Sequence, residues 1–274
     1  MFRKFKKLPK YLLTFGLLAG TRLFFQVEWH TKSGRGDRMR SLTVPGYANP
    51  IRLRDTVADH ATFWQCIVMQ QYDFSIFPQA ENIALQYKAT LAAGQKPLII
   101  DCGANIGLST IWLANRYPLA TICSVEPDEA NFSLLQSNSS HLKERSICLR
   151  GGIWPRPSKL TIINPEAGAA AFRVEELPVE SDGGIRGYTI DEICTLAGNE
   201  NPLYVKIDIE GAQAALFASN TEWVARTWLI SLELDDWQFP WAGTSRTFLQ
   251  TISRYPFDML VRDESVFCFR NPND

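Results

Sequence analysis

From residue 98 onward, short apolar runs of strand length alternate with stretches of helix length, and this rhythm constrains the fold more than any other feature. Residues 98–102, 121–125, 146–149, 203–208 and 228–234 read as strands, mostly apolar and not confined to every second position. Strands of that kind are buried on both faces, which requires a mostly parallel sheet with helices on each side. Helices are expected over 106–116, 128–141, 212–218 and 245–254, the second opened by Asp128 as a cap. A last pair at 257–261 and 266–270 closes the sheet, giving a Rossmann-like α/β sheet of about seven strands. Residues 151–187 break the rhythm, and two extra strands at 159–163 and 172–177 read as an inserted hairpin.

The first 97 residues have a different texture. Residues 1–27 carry six basic side chains (Arg3, Lys4, Lys6, Lys7, Lys10, Arg22) and no acid. The whole chain has 28 basic and 29 acidic residues, so the remainder holds 22 against 29, or −7. That balance excludes a globally basic nucleic-acid binder. The apolar run at 11–20 is too short to span a bilayer, which takes about 20 apolar residues, and Arg22 interrupts it. Its continuation through Leu23, Phe24 and Phe25 argues against signal cleavage. An interfacial helix contacting an anionic leaflet is the first expectation for 1–27, with an ordinary helix docked on the body, or a signal or anchor, as the alternatives. Residues 33–50, rich in Gly34, Gly36, Pro45, Gly46 and Pro50, read as loop, and 60–92 as mostly helix. Gly94 and Pro97 mark a boundary, so the chain divides into 1–27, an accessory and lid segment at 28–97, and a ligand-binding domain at 98–274. Six cysteines stand alone, with no C-x-x-C pair, which speaks against a zinc site and for a reducing cytosolic location, with 1–27 at the inner face of a membrane.

In an open α/β sheet, ligands bind beyond the carboxyl ends of the strands. After the first strand stands Asp101-Cys102-Gly103-Ala104-Asn105-Ile106-Gly107. Glycines there let the backbone turn and approach a ligand, and free amides opening the next helix favour a carboxylate. This D-x-G-x-N-x-G spacing differs from the dinucleotide G-x-G-x-x-G, and its leading acid suits an amine. After the second strand, 25 residues beyond Asp101, stands Glu126, an acid placed to accept the hydroxyls of a ribose. Asp101, Gly103, Asn105, Gly107 and Glu126 are therefore the candidate cofactor-binding residues, and a nucleoside with a charged amino-acid tail is the ligand they describe.

The sequence resembles the FkbM-type family of class I methyltransferases, which use S-adenosyl-L-methionine. The resemblance covers most of residues 44–235 and rests on 101–107, on Val125-Glu126-Pro127, and most specifically on Val205-Lys206-Ile207-Asp208-Ile209-Glu210-Gly211-Ala212. Pro50-Ile51-Arg52-Leu53-Arg54, with Asp59 and Phe63, is similar to the family's entry segment. It departs from the family at Gln213, where an acid is common, and at Gly151-Gly152 after the third strand. The resemblance implies methyl transfer to a hydroxyl oxygen of a sugar, glycolipid or other natural-product scaffold, often alongside polysaccharide assembly.

Such a transfer needs a proton acceptor beside the cofactor. Asp208 and Glu210 end the fourth strand and, two residues apart, are expected on one side of it. Either can serve as base or as the group that orients the acceptor, with Lys206 structural; Glu233 and Asp235 form a similar pair. A divalent cation on Asp208, Glu210 and Asp235 is the further option, although no metal-binding motif is present. The aromatic run Trp237, Phe239 and Trp241 could pack as a lid or stack on a sugar face. Two rival readings stand beside methyl transfer. A nicotinamide-dependent oxidoreductase is disfavoured by the missing G-x-G-x-x-G, and a catalytically silent membrane-associated adaptor by the presence of all four acids.

Overall fold

In the computed structural model, the described residues are 2–29, 38–164, 172–178 and 180–273. Gly34 and Gly36 of the expected loop lie outside them. The chain opens with three helices, α1 (Phe2–Phe5), α2 (Leu8–Phe15) and α3 (Leu17–Glu28). Gly16 turns between α2 and α3 with a φ of 78°, a left-handed value that glycine adopts without strain. Residues 2–27 thus fold back as a helical hairpin and not as one continuous helix. Its inner face, Tyr11, Leu23, Phe24 and Val27, is buried in a core that also holds Phe63, Ile67, Ile99, Trp112 and Tyr204. Burying four such side chains contributes about 1.5–3 kcal/mol each, so the hairpin is fastened to the body. Glu28 completes it, accepting from Lys7 at 3.0 Å and from the Tyr11 hydroxyl at 3.2 Å.

Two short strands, β1 (Met39–Leu42) and β2 (Ile51–Arg54), pair antiparallel, the first inside the stretch expected to be loop and the second just beyond it. Four residues each, they are too short for a periodicity signal. The expected helix over 60–92 is split into α4 (Val57–Phe63), a π-helical turn at Trp64–Met69, and α5 (Ala80–Ala92), with irregular backbone between. Thr56 caps α4 by accepting from the Asp59 N–H. The family-like entry segment is clamped to the body of the chain through Asn131 and Asn138. Asp59, 1% exposed, pairs with Arg54 at 2.8 Å, and the same guanidinium donates to Asn131 at 2.6 Å. Asn138 bonds both the N–H and the carbonyl of Arg52.

The remaining elements are β3 (Leu98–Cys102), α6 (Leu108–Arg116), β4 (Thr121–Glu126), α7 (Glu129–Ser139), β5 (Ser146–Ile153), β6 (Ser158–Ile162), β7 (Val174–Glu176), β8 (Ile185–Tyr188), α8 (Ile190–Ala197), β9 (Tyr204–Ile207), α9 (Gln213–Leu216), β10 (Leu229–Glu233), α10 (Arg246–Ile252), β11 (Phe257–Arg262) and β12 (Ser265–Arg270). Ten strands form one sheet in the order β11-β12-β10-β9-β3-β4-β5-β8-β6-β7. The run from β11 to β5 is the expected seven-stranded sheet, parallel at its centre, with only β12 reversed. The expected hairpin is β6 and β7, and β8 joins it to the edge by pairing parallel with β5.

The strand β8 and helix α8 lie in a stretch to which the sequence reading gave no element. A capping box of Thr189 and Glu192 starts α8, and Gly198 stops it in a left-handed turn. The strand β5 also runs past the expected residue 149 to Ile153, because Gly151–Ile153 pair with β8. Alternation along the buried strands divides the core in two. Leu98, Ile100 and Cys102 face one cluster and Ile99 the other, as side-chain period two requires. The N-terminal helices, α5 and α6 cover the first face, while α8, α9 and α10 cover the second.

Candidate functional site

Strand order reverses around β3, which has β4 on one side and β9 on the other, so the crevice opens beyond the carboxyl ends of these three strands. A cavity opens there. Gly103, Asn105, Glu126, Gly151, Gly152, Asp208 and Glu210 are on its wall, with Phe172 and Val174 from the hairpin side. Three carboxylates and no Lys or Arg line it among the described residues.

The glycine-rich turn after β3 is shaped by its neighbours. Gly103 has a φ of 78°, and a Cβ there would lie 1.8 Å from the carbonyl oxygen of Asp208. Asn105 has a φ of 50° and donates its N–H to Glu126 at 2.8 Å. Glu126, 4% exposed, also accepts the Asp128 N–H at 3.0 Å. Burial pushes its carboxyl up to about 7 against the pull of those bonds. Its Oε1 accepts a second bond from the Asn131 amide at 3.4 Å, so Oε2, which takes only the Asn105 N–H, is the oxygen with a lone pair left for a ligand hydroxyl. Gly151 and Gly152 have a packing reason: a Cβ would meet Arg186 O at 2.2 Å or the Leu160 side chain at 2.6 Å.

Two residues expected to touch the ligand do not line the cavity. Asp101 is fully buried beneath it, accepting from the hydroxyls of Ser109 and Thr110 at 2.7 Å and pairing with Lys206 at 3.0 Å. A carboxylate at the buried end of a central strand is held by the nearest cation, so its place in the structure is under the glycine turn. Gly107, with a φ of 84°, caps α6 and lets Leu135 of α7 pack within 3 Å of where its Cβ would be.

On the β9 side the strand stops at Ile207, so its alternation does not reach Asp208 and Glu210. Both nevertheless line the cavity, because Glu210 adopts a φ of 49° and Gly211 one of 90°, curling the chain back. Asp208 lies 3.5 Å from Lys206 and accepts from the Tyr72 hydroxyl at 3.3 Å. Lys206 donates to Gly103 O at 2.8 Å and lies over the Tyr72 ring. Its charged form is favoured by Asp101 and Asp208, which overcome the burial that opposes it. Burial, then Asp208 and Asp235, raises the Glu210 carboxyl to about 7. Glu233 is raised by burial and by Asp208, and it accepts from Gln71.

Among the described residues no group of three or more His, Cys, Asp or Glu is arranged to hold a metal. Asp208, Glu210 and Asp235 therefore do not assemble as a cation site; Asp235 is buried, and burial raises its carboxyl. Gln213, the departure noted in the sequence, is buried, accepts the Gly211 N–H at 2.7 Å and donates to Glu233 O. Gln71, Tyr72, Phe172 and Val174 were not legible as site residues. They come from irregular backbone and from the inserted hairpin, where no strand end points to them. At the rim the Arg173 guanidinium lies over the Phe239 ring, 4.5 Å from its centroid, and Trp237 and Trp241 project into solvent.

Comparison with known proteins bears on the same residues. The Methyltransferase FkbM domain matches residues 101–257. Methyltransferase 1 of Beauveria bassiana (strain ARSEF 2860) is 45% identical over 40 residues, 15% of this chain and 16% of that protein, so the match spans a small part of that relative's length. Similar solved structures include the O-methyltransferase from Bacillus cereus in complex with SAH, 15% identical with a TM-score of 0.38 over 71% of this chain and 82% of that one. Monomeric WbdD is another, 13% identical with a TM-score of 0.41 over 77% and 44%. With the family match spanning the glycine turn, both acid-bearing strand ends and the parallel core, the chain belongs to the FkbM methyltransferase domain family.

Proposed function

We propose that the protein transfers a methyl group from S-adenosyl-L-methionine to a hydroxyl oxygen of a sugar-bearing acceptor, such as a glycan or glycolipid. One observation carries this reading: the cavity at the switch point is lined by Glu126, Asp208 and Glu210 with no basic side chain among the described residues. Such a lining attracts a sulfonium and an ammonium and repels a pyrophosphate, which disfavours a nicotinamide dinucleotide. It also disfavours a silent adaptor, because raised carboxyls in a cleft are costly to the fold.

When bound, S-adenosyl-L-methionine supplies a methyl group activated by its sulfonium. The chain supplies position and a proton acceptor. Glu126 keeps a lone pair on Oε2 for a ribose hydroxyl, and the Gly103–Asn105 turn leaves backbone close to the ligand. Glu210 takes the proton of the acceptor hydroxyl as the new oxygen–carbon bond forms. Its carboxyl, raised to about 7, is matched to that task, whereas Asp208 is already engaged by Lys206 and Tyr72 and serves to orient. The exposed rings of Trp237 and Trp241, in the loop that follows β10, offer apolar faces suited to a sugar.

Calorimetry with S-adenosylhomocysteine and, separately, NADH tests the reading. Binding of the first alone, followed by methyl-label transfer to hydroxylated glycans and not to their amines, is the expected result. Binding of NADH alone would overturn it.

A further inference from the structure

The N-terminal hairpin separates its apolar residues into two sets. Tyr11, Leu23, Phe24 and Val27 enter the core. Leu13, Leu17 and Leu18 face solvent at 83%, 72% and 87% exposure, all within the corner at Gly16. Single exposed leucines are ordinary, but three gathered at one corner form a patch that the fold itself does not use.

The charge around that patch is one-sided. Lys10 precedes Leu13 by three residues and Arg22 follows Leu18 by four, so each lies on the same helical face as its leucine. Residues 1–27 contain no acid, and the nearest one, Glu28, is buried and paired with Lys7. Beside Arg22 a depression is lined by Leu18, Ala19, Leu23, Thr43 and Pro45, giving an apolar floor with a cationic rim.

We propose that the α2–α3 corner docks on an anionic lipid bilayer. Leu13, Leu17 and Leu18 enter the boundary between headgroups and acyl chains, while Lys10 and Arg22 stay among the headgroups. Each cation near an anionic leaflet strengthens such binding about fivefold. Lipid, and not a second copy of this chain, is the occupant that the charge favours, since two such basic corners repel. No helix among the described residues is long and apolar enough to cross a membrane, so the contact is peripheral.

The docked corner is also tied to the crevice. Thr14 donates to the carbonyl of Val68 at 3.0 Å, at the end of the π-helical turn. The next residues carry Gln71 to Glu233 and Tyr72 to Asp208. A bilayer holding the corner therefore fixes the orientation of the segment that hydrogen-bonds Asp208 and Glu233. The docking itself does not depend on methyl transfer.

Flotation of the full chain with vesicles of phosphatidylcholine, alone or mixed with phosphatidylserine, tests the proposal. The expected result is binding to the mixed vesicles that weakens as salt is raised. The Leu17→Glu/Leu18→Glu variant, altered only at exposed positions, should lose at least about tenfold in binding at an unchanged Tm. Lys10→Glu/Arg22→Glu should lose at least about tenfold through the charge term alone. Failure of the wild type to float with mixed vesicles, or equal flotation of both variants, would overturn the proposal. So would a wild-type dimer that the leucine variant converts to monomer, since a second copy would then cover the patch.

Discussion

Lys206 and Asp101 form an ion pair of 3.0 Å that is closed to solvent, one side chain 2% exposed and the other 0%. From this pair the lysine reaches on to Asp208 at 3.5 Å and to the carbonyl of Gly103, so one buried cation ties the glycine turn to the acid beyond β9. The sequence reading assigned Asp101 to the ligand; the structure assigns it to Lys206.

Removing the charge of Asp101 should therefore cost stability first. The Asp101→Asn variant leaves Lys206 buried with a weaker partner, which destabilises by about 3 kcal/mol or more. Urea denaturation measures this. A variant as stable as the wild type that has lost only S-adenosylhomocysteine affinity would return Asp101 to the ligand site.

Glu210→Gln keeps the shape of the side chain and removes its proton-accepting charge. Turnover should fall by about 10²–10⁴-fold. Affinity for S-adenosylhomocysteine, whose sulfur is neutral, should stay within a few-fold in calorimetry. A variant with normal turnover would move the base to Asp208 or Glu233.

The raised carboxyls also set a pH dependence. Glu210 and Glu126 each titrate at about 7, so below that pH a sulfonium must displace protons in order to bind. Affinity for S-adenosyl-L-methionine should rise with pH through about 7 and level off above it, more steeply than that for S-adenosylhomocysteine. Parallel titrations of the two ligands check this, and matching slopes would mean that the carboxylates do not sense the sulfonium.

The same shift has a consequence for folding. A carboxyl at about 7 in the folded chain and at its ordinary 4.5 when unfolded holds more protons in the folded state. Its favourable contribution is complete below about 4.5 and is lost as pH rises through about 7. Glu210→Gln should thus raise the Tm above neutrality and leave it unchanged near pH 4, the gain being about 1–2 kcal/mol after allowance for partial solvent screening. Thermal melts at the two pH values test it, and a gain confined to the acid side would reverse the sign.

Gly103→Ala should disable the site without touching a charged group. The added Cβ falls 1.8 Å from Asp208 O at a φ of 78°, so the turn or the β9 end must move. A loss of about 2 kcal/mol or more is expected together with loss of turnover. A variant with wild-type Tm and activity would show that the turn has room to spare.

The parallel core was legible because buried strands such as 98–102 and 121–125 are apolar at most positions, a local property that any window of sequence displays. Asp128 as a helix cap and the hairpin after the third strand were legible for the same reason, since capping and chain reversal depend on near neighbours. Glu126, Asn105, Asp208 and Glu210 could be placed at one crevice because strand ends in such a sheet converge. What the sequence determined by itself was this set of short-range preferences and the family they resemble. Tertiary structure alone decided that Asp101 belongs to Lys206, that Glu210 is turned into the cavity by a left-handed residue and not by strand alternation, and that Tyr72 and Gln71 arrive from more than 130 positions away in the chain. Those contacts join groups distant in sequence, and their energies come from burial and charge pairing, which exist only once the sheet and its covering helices have brought the partners together.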